Sequence, residues 1–435
     1  MDLRATEGVA SRFVEYVEHL SEVIGHADRH GPLASYCSGL LLPGERKSVE
    51  PMAARIAPDA VGAKHQSLHH FVAKAPWDEV ELLVAVRNFV LPKMEVQAPI
   101  RAWIVDDTGI PKKGKHSVGV ARQYCGELGK QDNCQVAVTL SVASDRASLP
   151  IAVRLYLPEA WANDQARRQK AGVPTEITFQ TTPQIALGQI RRAMADGVPK
   201  GIVLADAGYG NDTAFRDALT QMELPYIVGV QSSIAVWVPG TGPLPARPWS
   251  GRGRKTKLLR RDDDAKPMKA GDLARALPRK ACKTVRWREG SKGDLVSRFA
   301  AVRVRPSHRD YWRAEPRREE WLLIEWPEGE AAPTKYWLST LPHTTPIATL
   351  VDTAKLRWRI ERDFQDLKQE IGLDHYEGRG WRGFHHHAAL TIAAYGFLVS
   401  ERSPIPPSAP IRRALEANIP PQRQAFTPRG HATAA

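Results

Sequence analysis

The sequence contains no long hydrophobic run and little cysteine. No stretch of 18 consecutive apolar residues occurs, so a membrane-spanning helix is not expected. Residues 1–8 lack the apolar segment of a secretory signal peptide. The four cysteines are scattered and include no C-x-x-C pair, which predicts reduced thiols rather than a disulfide framework or a zinc site. We therefore expect a cytoplasmic protein.

Acidic residues are also in deficit. The chain carries 61 lysines and arginines against 48 aspartates and glutamates, a formal net charge of +13. An excess of this size favours a polyanionic partner, most simply nucleic acid, although the total charge does not locate the binding surface.

The 435 residues are too many for one ordinary domain, and the hydrophobic pattern divides them into five segments. Residues 1–96 have helical periodicity, residues 97–231 alternate strands with helices, and residues 232–345 hold seven of the twelve tryptophans in short strand patterns. The predicted domains are a helical N-terminal domain (1–96), the first part of an α/β core (97–231), a β-rich insertion (232–345), the second part of the core (346–402) and a disordered proline-rich tail (403–435).

Two basic clusters lie outside the predicted core. Arg46, Lys47 and Arg55 fall in the helical N-terminal domain, and residues 250–261 carry six basic side chains at the start of the insertion. Each cluster is compatible with DNA contact or with ordinary solvated surface charge, and the sequence leaves both interpretations open.

Three acidic positions stand out by context. Asp106 and Asp107 end the apolar strand predicted at 102–108, and Asp206 ends a second apolar strand that begins at 201. Glu361 lies in a helix predicted from about 346 to 371. Site residues commonly occur at the ends of strands in α/β sheets.

The helix around Glu361 has two faces. Leu356, Ile360, Phe364, Leu367 and Ile371 recur at helical spacing and form an apolar stripe. Arg357 and Lys368 nearly align with Glu361 on another face. A solvated face with an ion pair four residues apart is the ordinary interpretation of such a pattern. The two upstream aspartate positions favour a site instead.

Clustered carboxylates repel one another, so such a group usually holds a cation. Oxygen ligands without cysteine or an obvious histidine cage favour Mg²⁺ or Mn²⁺, and two such ions promote in-line phosphoryl displacement. Four cations near the acids are suited to neutralising substrate phosphates: Lys112, Lys113, Arg357 and Lys368.

Histidines 385–387 form a triplet that suggests a metal site. Consecutive residues of a helix point about 100° apart, so three neighbours do not jointly face one ion. We therefore predict that these histidines are packing residues at the start of an apolar helix.

Several motifs resemble those of the DDE transposases of bacterial insertion sequences, in the group numbered seven hundred and one. The similar stretches are IVDDTGIPKKGK, VLADAGYG and WRIERDFQDLKQEIGLDHYEGRGWRGFHHH, and the likeness covers roughly residues 10–400. Arg357, Glu361 and Lys368 match the signature Y-x2-R-x3-E-x6-K, whereas Ala354 stands at the tyrosine position.

This resemblance implies an RNase H-like mixed-sheet catalytic core with a β-rich insertion and an N-terminal helical domain. It also implies a metal-dependent DNA endonuclease and strand-transfer enzyme that uses two Mg²⁺ or Mn²⁺ ions. Asp106, Asp206 and Glu361 are expected to hold the metals, with Asp107 as the alternative to Asp106. Because Asp106 and Asp107 point to opposite faces of a strand, the D-x-[ST] pattern of related enzymes favours Asp106.

The implied partners are the terminal inverted repeats of an insertion sequence and target DNA, bound by a homodimer in the synaptic complex. Arg357, Lys368, Lys112 and Lys113 are expected to contact DNA, and the protein to join the nucleoid when bound. Two alternatives remain: a plain metal-dependent DNA endonuclease, and a DNA-binding transposase remnant without activity.

Overall fold

The computed structural model describes residues 3–264, 266–290 and 293–402. The tail predicted to be disordered, 403–435, lies outside the described residues. No helix in the described part of the chain is long and apolar enough to cross a membrane.

Helices and strands alternate in the order that the sequence pattern predicts. The α-helices are α1 (Leu3–Ser21), α2 (His30–Leu41), α3 (Val49–Ile56), α4 (Val61–Ala73), α5 (Glu79–Gln97), α6 (Glu159–Ala162), α7 (Gln165–Ala171), α8 (Thr182–Ala195), α9 (Ala207–Gly210), α10 (Thr213–Gln221), α11 (Ala270–Ala276), α12 (Ile347–Lys355), α13 (Trp358–Gln365) and α14 (Trp381–Arg402). Short 3₁₀ turns occur at Ala27–Arg29, Pro58–Ala60, Arg279–Ala281, Asp310–Trp312 and Leu373–His375.

The strands are β1 (Ala102–Pro111), β2 (Ala121–Cys125), β3 (Lys130–Ala143), β4 (Ser148–Leu155), β5 (Ile202–Ala205), β6 (Tyr226–Val230), β7 (Ala235–Trp237), β8 (Met268–Lys269), β9 (Lys283–Gly290), β10 (Gly293–Pro306), β11 (Glu320–Glu325) and β12 (Lys335–Ser339). Several short elements are absent from the sequence prediction, because their segments are short and lack a clear period: strands β2, β7 and β8 and helices α6, α7, α9 and α11.

All twelve strands belong to one mixed sheet. Its order is β2-β3-β1-β5-β6-β12-β11-β10-β7-β8, with β4 paired to β3 and β9 paired to β10. Strands β1, β5 and β6 are parallel, and the other pairings are antiparallel. The prediction of an α/β fold with a mixed sheet is therefore confirmed.

The insertion extends this sheet instead of forming a separate one. Strand β12 pairs antiparallel with β6, so that Tyr336 lies opposite Val230. Strands β11 and β10 follow in order beyond β12. The domain boundaries predicted at 96, 231, 345 and 402 remain predictions.

The N-terminal helices share one hydrophobic core with the last helix, α14. The Tyr16 hydroxyl on α1 donates to the carbonyl of Ala393 at 2.8 Å. Of the N-terminal basic cluster, Lys47 is 4% exposed and its amine donates to the carbonyls of Leu40 and Glu370. The Lys47 side chain therefore links this region to the core, so it is neither a solvated surface charge nor exposed for contact with DNA.

The helix predicted from 346 to 371 is not continuous. It breaks at Leu356 and Arg357 between α12 and α13, and the segment Asp366–Ile371 is π-helical. The apolar stripe is buried as predicted, except that Phe364 is only partly buried. Because a π-helix turns less per residue than an α-helix, Lys368 no longer aligns with Glu361 in the way that an ideal helix predicts.

The three consecutive histidines of α14 contact three different neighbours. His385 Nε2 accepts a hydrogen bond from the backbone N–H of Leu155. His386 stacks on Trp77 with ring centroids 3.5 Å apart, and His387 Nδ1 lies 2.9 Å from the Tyr36 hydroxyl. These contacts agree with the predicted packing role.

Candidate active site

The pairing of β1 with β5 places the first two acidic positions side by side. Ile104 lies opposite Leu204 in the parallel register. Asp106 and Asp206 each follow two residues after that pair. Because the two strands run in the same direction, Asp106 and Asp206 lie at the same level of the sheet, where β5 ends.

Asp106 lies within β1 and not at its end. The sequence prediction ended the strand near the two aspartates, but β1 continues to Pro111 because its last residues pair with β3. The Asp106 side chain is 14% exposed. Its Oδ1 accepts the backbone N–H of Asp107 at 3.0 Å, which holds the carboxylate against the strand.

Asp206 is the N-cap of helix α9. Its Oδ1 accepts the backbone N–H groups of Gly208 at 2.9 Å and Tyr209 at 3.4 Å, the usual way to satisfy the first amides of a helix. A Cβ atom at Gly210 would overlap the carbonyl oxygen of Gly229 on β6. Glycine at 210 therefore allows the turn after Asp206 to pack directly on the sheet.

Asp107 has a partner that the sequence argument missed. The Tyr209 hydroxyl donates to Asp107 Oδ2 at 3.4 Å, and Tyr209 is fully buried. The only signal in the sequence is the position of this tyrosine in VLADAGYG, three residues after Asp206. The contact links the two acidic segments and orients Asp107.

Both aspartates of β1 hold their protons more tightly than usual. Burial raises the pKa of Asp106 to about 7; Arg357 opposes this rise, and the charges of Asp206 and Asp107 add to it. The pKa of Asp107 is raised to about 6, first by loss of hydration and then by Asp206. Asp107 does reach solvent, but the surrounding protein still removes much of its hydration. Burial is the larger cause of both shifts, and the added contribution of neighbouring carboxylates shows that these acids lie close enough to repel one another.

Glu361 reaches the cluster through Arg357. Arg357 Nη1 donates to Asp106 Oδ2 at 2.5 Å, and Nη2 donates to Glu361 Oε1 at 3.0 Å. The Glu361 side chain is 65% exposed. Asp106 and Glu361, the first and third predicted acids, therefore accept hydrogen bonds from the same guanidinium group.

The three lysines predicted to bind DNA do not contact the acids of the predicted triad. Lys368 Nζ donates to the carbonyl of Gly109 and to Glu127 Oε2, both at 2.7 Å. Lys112 Nζ donates to the Tyr376 carbonyl at 2.7 Å, and burial lowers the Lys112 pKa. Lys113 is exposed. Only Arg357 among the four contacts an acid of the predicted triad.

The sequence profile of the DDE superfamily endonucleases matches residues 19–294. The chain belongs to this family. The matched region includes Asp106 and Asp206 and ends before Glu361. The fold is consistent with the RNase H-like core of DDE enzymes, and the resemblance that the motifs indicated is confirmed.

A named relative agrees with this assignment. The chain is 33% identical over 190 residues to a protein of Microchaete diplosiphon described as a probable transposase for insertion sequence element IS701. The aligned region covers 43% of this chain and 46% of the relative, so it spans about half the length of the relative.

DDE endonucleases depend on metal ions, and the chemistry of the acids suits that requirement. Asp106, Asp107, Asp206 and Glu361 offer only carboxylate oxygens, the ligands that Mg²⁺ and Mn²⁺ prefer. Within the described residues, no three Asp, Glu, His or Cys side chains are grouped to hold one ion. Asp106 and Glu361 are instead each paired with the guanidinium of Arg357.

Proposed function

We propose that this protein is a transposase that cleaves DNA at the ends of an insertion sequence and joins the freed ends to target DNA. The observation that carries the proposal is the β1–β5 register, which sets Asp106 beside Asp206, together with the Arg357 bridge to Glu361. Membership in the DDE endonucleases and the named relative support it.

In this proposal, Asp106, Asp206 and Glu361 hold two Mg²⁺ or Mn²⁺ ions, with Asp107 as the alternative first ligand. The ions, when bound, activate the attacking oxygen and stabilise the leaving oxygen of a phosphodiester. Tyr209 orients Asp107 through its hydroxyl. Asp206 is held in place by the amides of α9.

In this proposal, Arg357 also binds DNA. If Asp106 and Glu361 were to hold one ion together, the guanidinium of Arg357, which is now bonded to both, would have to move away from them. A DNA phosphate is the natural new partner, because it matches the two parallel donors of arginine. Lys368 would exchange Glu127 for a phosphate in the same way, and Lys112 and Lys113 would contact the backbone farther along the duplex.

The partners in this proposal are the terminal inverted repeats and target DNA, bound by a homodimer that pairs two ends. Such a protein acts on cytoplasmic DNA and is found with the nucleoid when bound. A plain endonuclease would cut without joining, and a DNA-binding remnant would bind the repeats without cutting.

The deciding experiment uses a labelled duplex that carries the end of the element, with Mg²⁺ or with EDTA. The wild-type protein is compared with Glu361→Gln and with the control Glu370→Gln, which alters an exposed glutamate of the same helical region. We expect metal-dependent nicking at the element boundary and a joined product for the wild type and the control. Glu361→Gln should bind the duplex and cut nothing.

Two outcomes of that experiment would replace the proposal. Cutting without joining would favour the plain endonuclease, and binding without cutting in the presence of Mg²⁺ would favour the remnant. Full cleavage by Glu361→Gln would refute the assignment of the third ligand. A parallel comparison of Asp106→Asn with Asp107→Asn identifies the first ligand as the one whose loss abolishes cutting.

A further inference from the structure

A second site lies where the N-terminal helical region meets the core. A cavity of about 360 Å³ opens there beside the loop that follows β1. Three separate parts of the chain form its walls: the turn before α3, the loop after β1, and the segment between the π-helix and α14. Its lining includes Arg46, Lys112, Lys113, His375, Glu377 and Arg379.

The charge of this cavity is positive. Four permanent cations line it, against the two carboxylates of Asp374 and Glu377. Arg46 is paired with Glu377 at 2.6 Å. Lys113 and Arg379 have no ion-pair partner in the part of the chain that the structure describes. Two cations are therefore available to an anion from outside.

The walls are held together by hydrogen bonds between distant segments. Lys112 Nζ donates to the Tyr376 carbonyl at 2.7 Å, and the backbone N–H of Val118 donates to the Arg379 carbonyl at 3.0 Å. The backbone N–H of Lys47 donates to His375 Nδ1 at 3.0 Å. These bonds fix the cavity before any ligand arrives, which reduces the ordering cost of binding.

The cavity stands at a defined distance from the acids. Lys112 directly follows β1, five residues beyond Asp107 and six beyond Asp106. At about 3.3 Å per residue this separation is about 17–20 Å along the strand. A DNA duplex rises about 3.4 Å per base pair, so this length corresponds to about five to six base pairs.

We propose that this cavity binds a backbone phosphate of duplex DNA about five base pairs from the bond that the acids cleave. The inference rests on the proposed function and deepens it, because it assigns DNA contact to Arg46 of the helical region and to Arg379. The ligand is a phosphodiester, since Lys112 and Lys113 directly follow β1, the strand that carries Asp106 and Asp107, and so lie near the proposed cleavage site. Free inorganic phosphate is the competing source of the same chemistry.

The test measures DNA affinity in EDTA, where cleavage does not interfere. Full-length wild type is compared with Lys113→Gln, with Arg379→Gln and with the control Lys115→Gln, an exposed lysine of the same loop that does not line the cavity. Each cavity variant should bind the end duplex about fivefold more weakly at 0.15 M salt and lower the salt slope by about 0.9. The control should match the wild type.

Duplexes in which single phosphates are replaced by neutral methylphosphonates locate the contact. The wild type should lose affinity when the phosphate about five base pairs from the cleavage site is neutral. Arg379→Gln already lacks this contact, so its DNA affinity should be the same for the neutral and the charged duplex. Equal affinities for all variants, or additive losses at that position, would overturn the inference. Binding of millimolar inorganic phosphate by the wild type but not by Arg379→Gln, with the same DNA affinity for both proteins, would assign the cavity to the free ion instead. Wild-type cleavage of the same duplex tests the proposed function separately.

Discussion

Arg357 joins Asp106 to Glu361. Its two terminal nitrogens donate to one carboxylate each, at 2.5 Å and 3.0 Å. The residue lies at the break between α12 and α13, so the guanidinium connects strand β1 with the beginning of α13. It balances charges that would otherwise repel in the absence of metal.

Replacement of this arginine should cost stability in a pH-dependent way. In EDTA at pH 8, Arg357→Gln should unfold with a free energy about 1–3 kcal/mol lower than the wild type. The loss should shrink at pH 6, because the raised pKa of Asp106, about 7 in the wild type, rises further when the cation is removed. The folded variant then takes up a proton that the unfolded chain does not, and its relative stability increases as the pH falls.

Chemical unfolding at both pH values measures this effect. Equal losses at pH 8 and pH 6 would contradict the idea that Arg357 stabilises the ionised Asp106. Mg²⁺ should raise the unfolding midpoint of the variant more than that of the wild type, because a cation bound only by the folded state stabilises it.

Gly210 is the position where a single methyl group should disturb the site. Gly210→Ala places a Cβ against the carbonyl oxygen of Gly229, and neither backbone is free to move far. We expect the free energy of unfolding to fall by about 1–3 kcal/mol and cleavage to fall with it, because Asp206 caps the helix that is displaced. Gly188→Ala is a suitable control, since a Cβ there meets open space. Similar stabilities for the two variants would rule out the close contact.

Lys355 and Glu325 form a largely buried ion pair between the insertion and α12. Lys355 Nζ donates to the two carboxylate oxygens at 2.9 and 2.7 Å and lies 4.5 Å from the ring centre of Trp287. Lys355→Met leaves Glu325 buried without its partner, which should cost about 3–5 kcal/mol. The double variant with Glu325→Gln should recover most of that loss. Thermal unfolding of the three proteins measures the coupling, and no recovery in the double variant would refute it.

His386 should make the protein sensitive to acid. Burial lowers the pKa of His386 to about 4, below the value of about 6.5 expected in an unfolded chain. The unfolded state therefore binds a proton first, and stability is lost as the pH falls from 6.5 towards 4. At pH 5 the loss is about 2 kcal/mol.

His386→Gln removes this titration. The variant should be less stable than the wild type at pH 8, because it loses the stacking on Trp77, and the difference should narrow by about 2 kcal/mol at pH 5. Urea unfolding at the two pH values measures it. His116→Gln, at an exposed position, should show no such change, and a constant difference for His386→Gln would exclude the histidine as the source.

Local features of the molecule follow from the order of residues alone. The periods of 2 and 3.6 locate most strands and helices, since burial of a strand face or a helix stripe is a local property. The sequence also predicts three site residues. Asp106 and Asp206 come after apolar stretches of predicted strands, and Glu361 lies between two basic residues of one predicted helix. The excess of basic residues, which is a property of composition alone, indicated a nucleic-acid partner.

Tertiary packing decided the rest. The register of β1 against β5, which sets Asp106 beside Asp206, depends on side chains about a hundred residues apart. The break at Leu356 and Arg357 interrupts a pattern that is periodic throughout. Lys47 is buried, although its neighbours in the sequence are charged and typical of a protein surface. The partners of these charged side chains come from segments that are distant in the sequence. Local residue spacing therefore does not predict them.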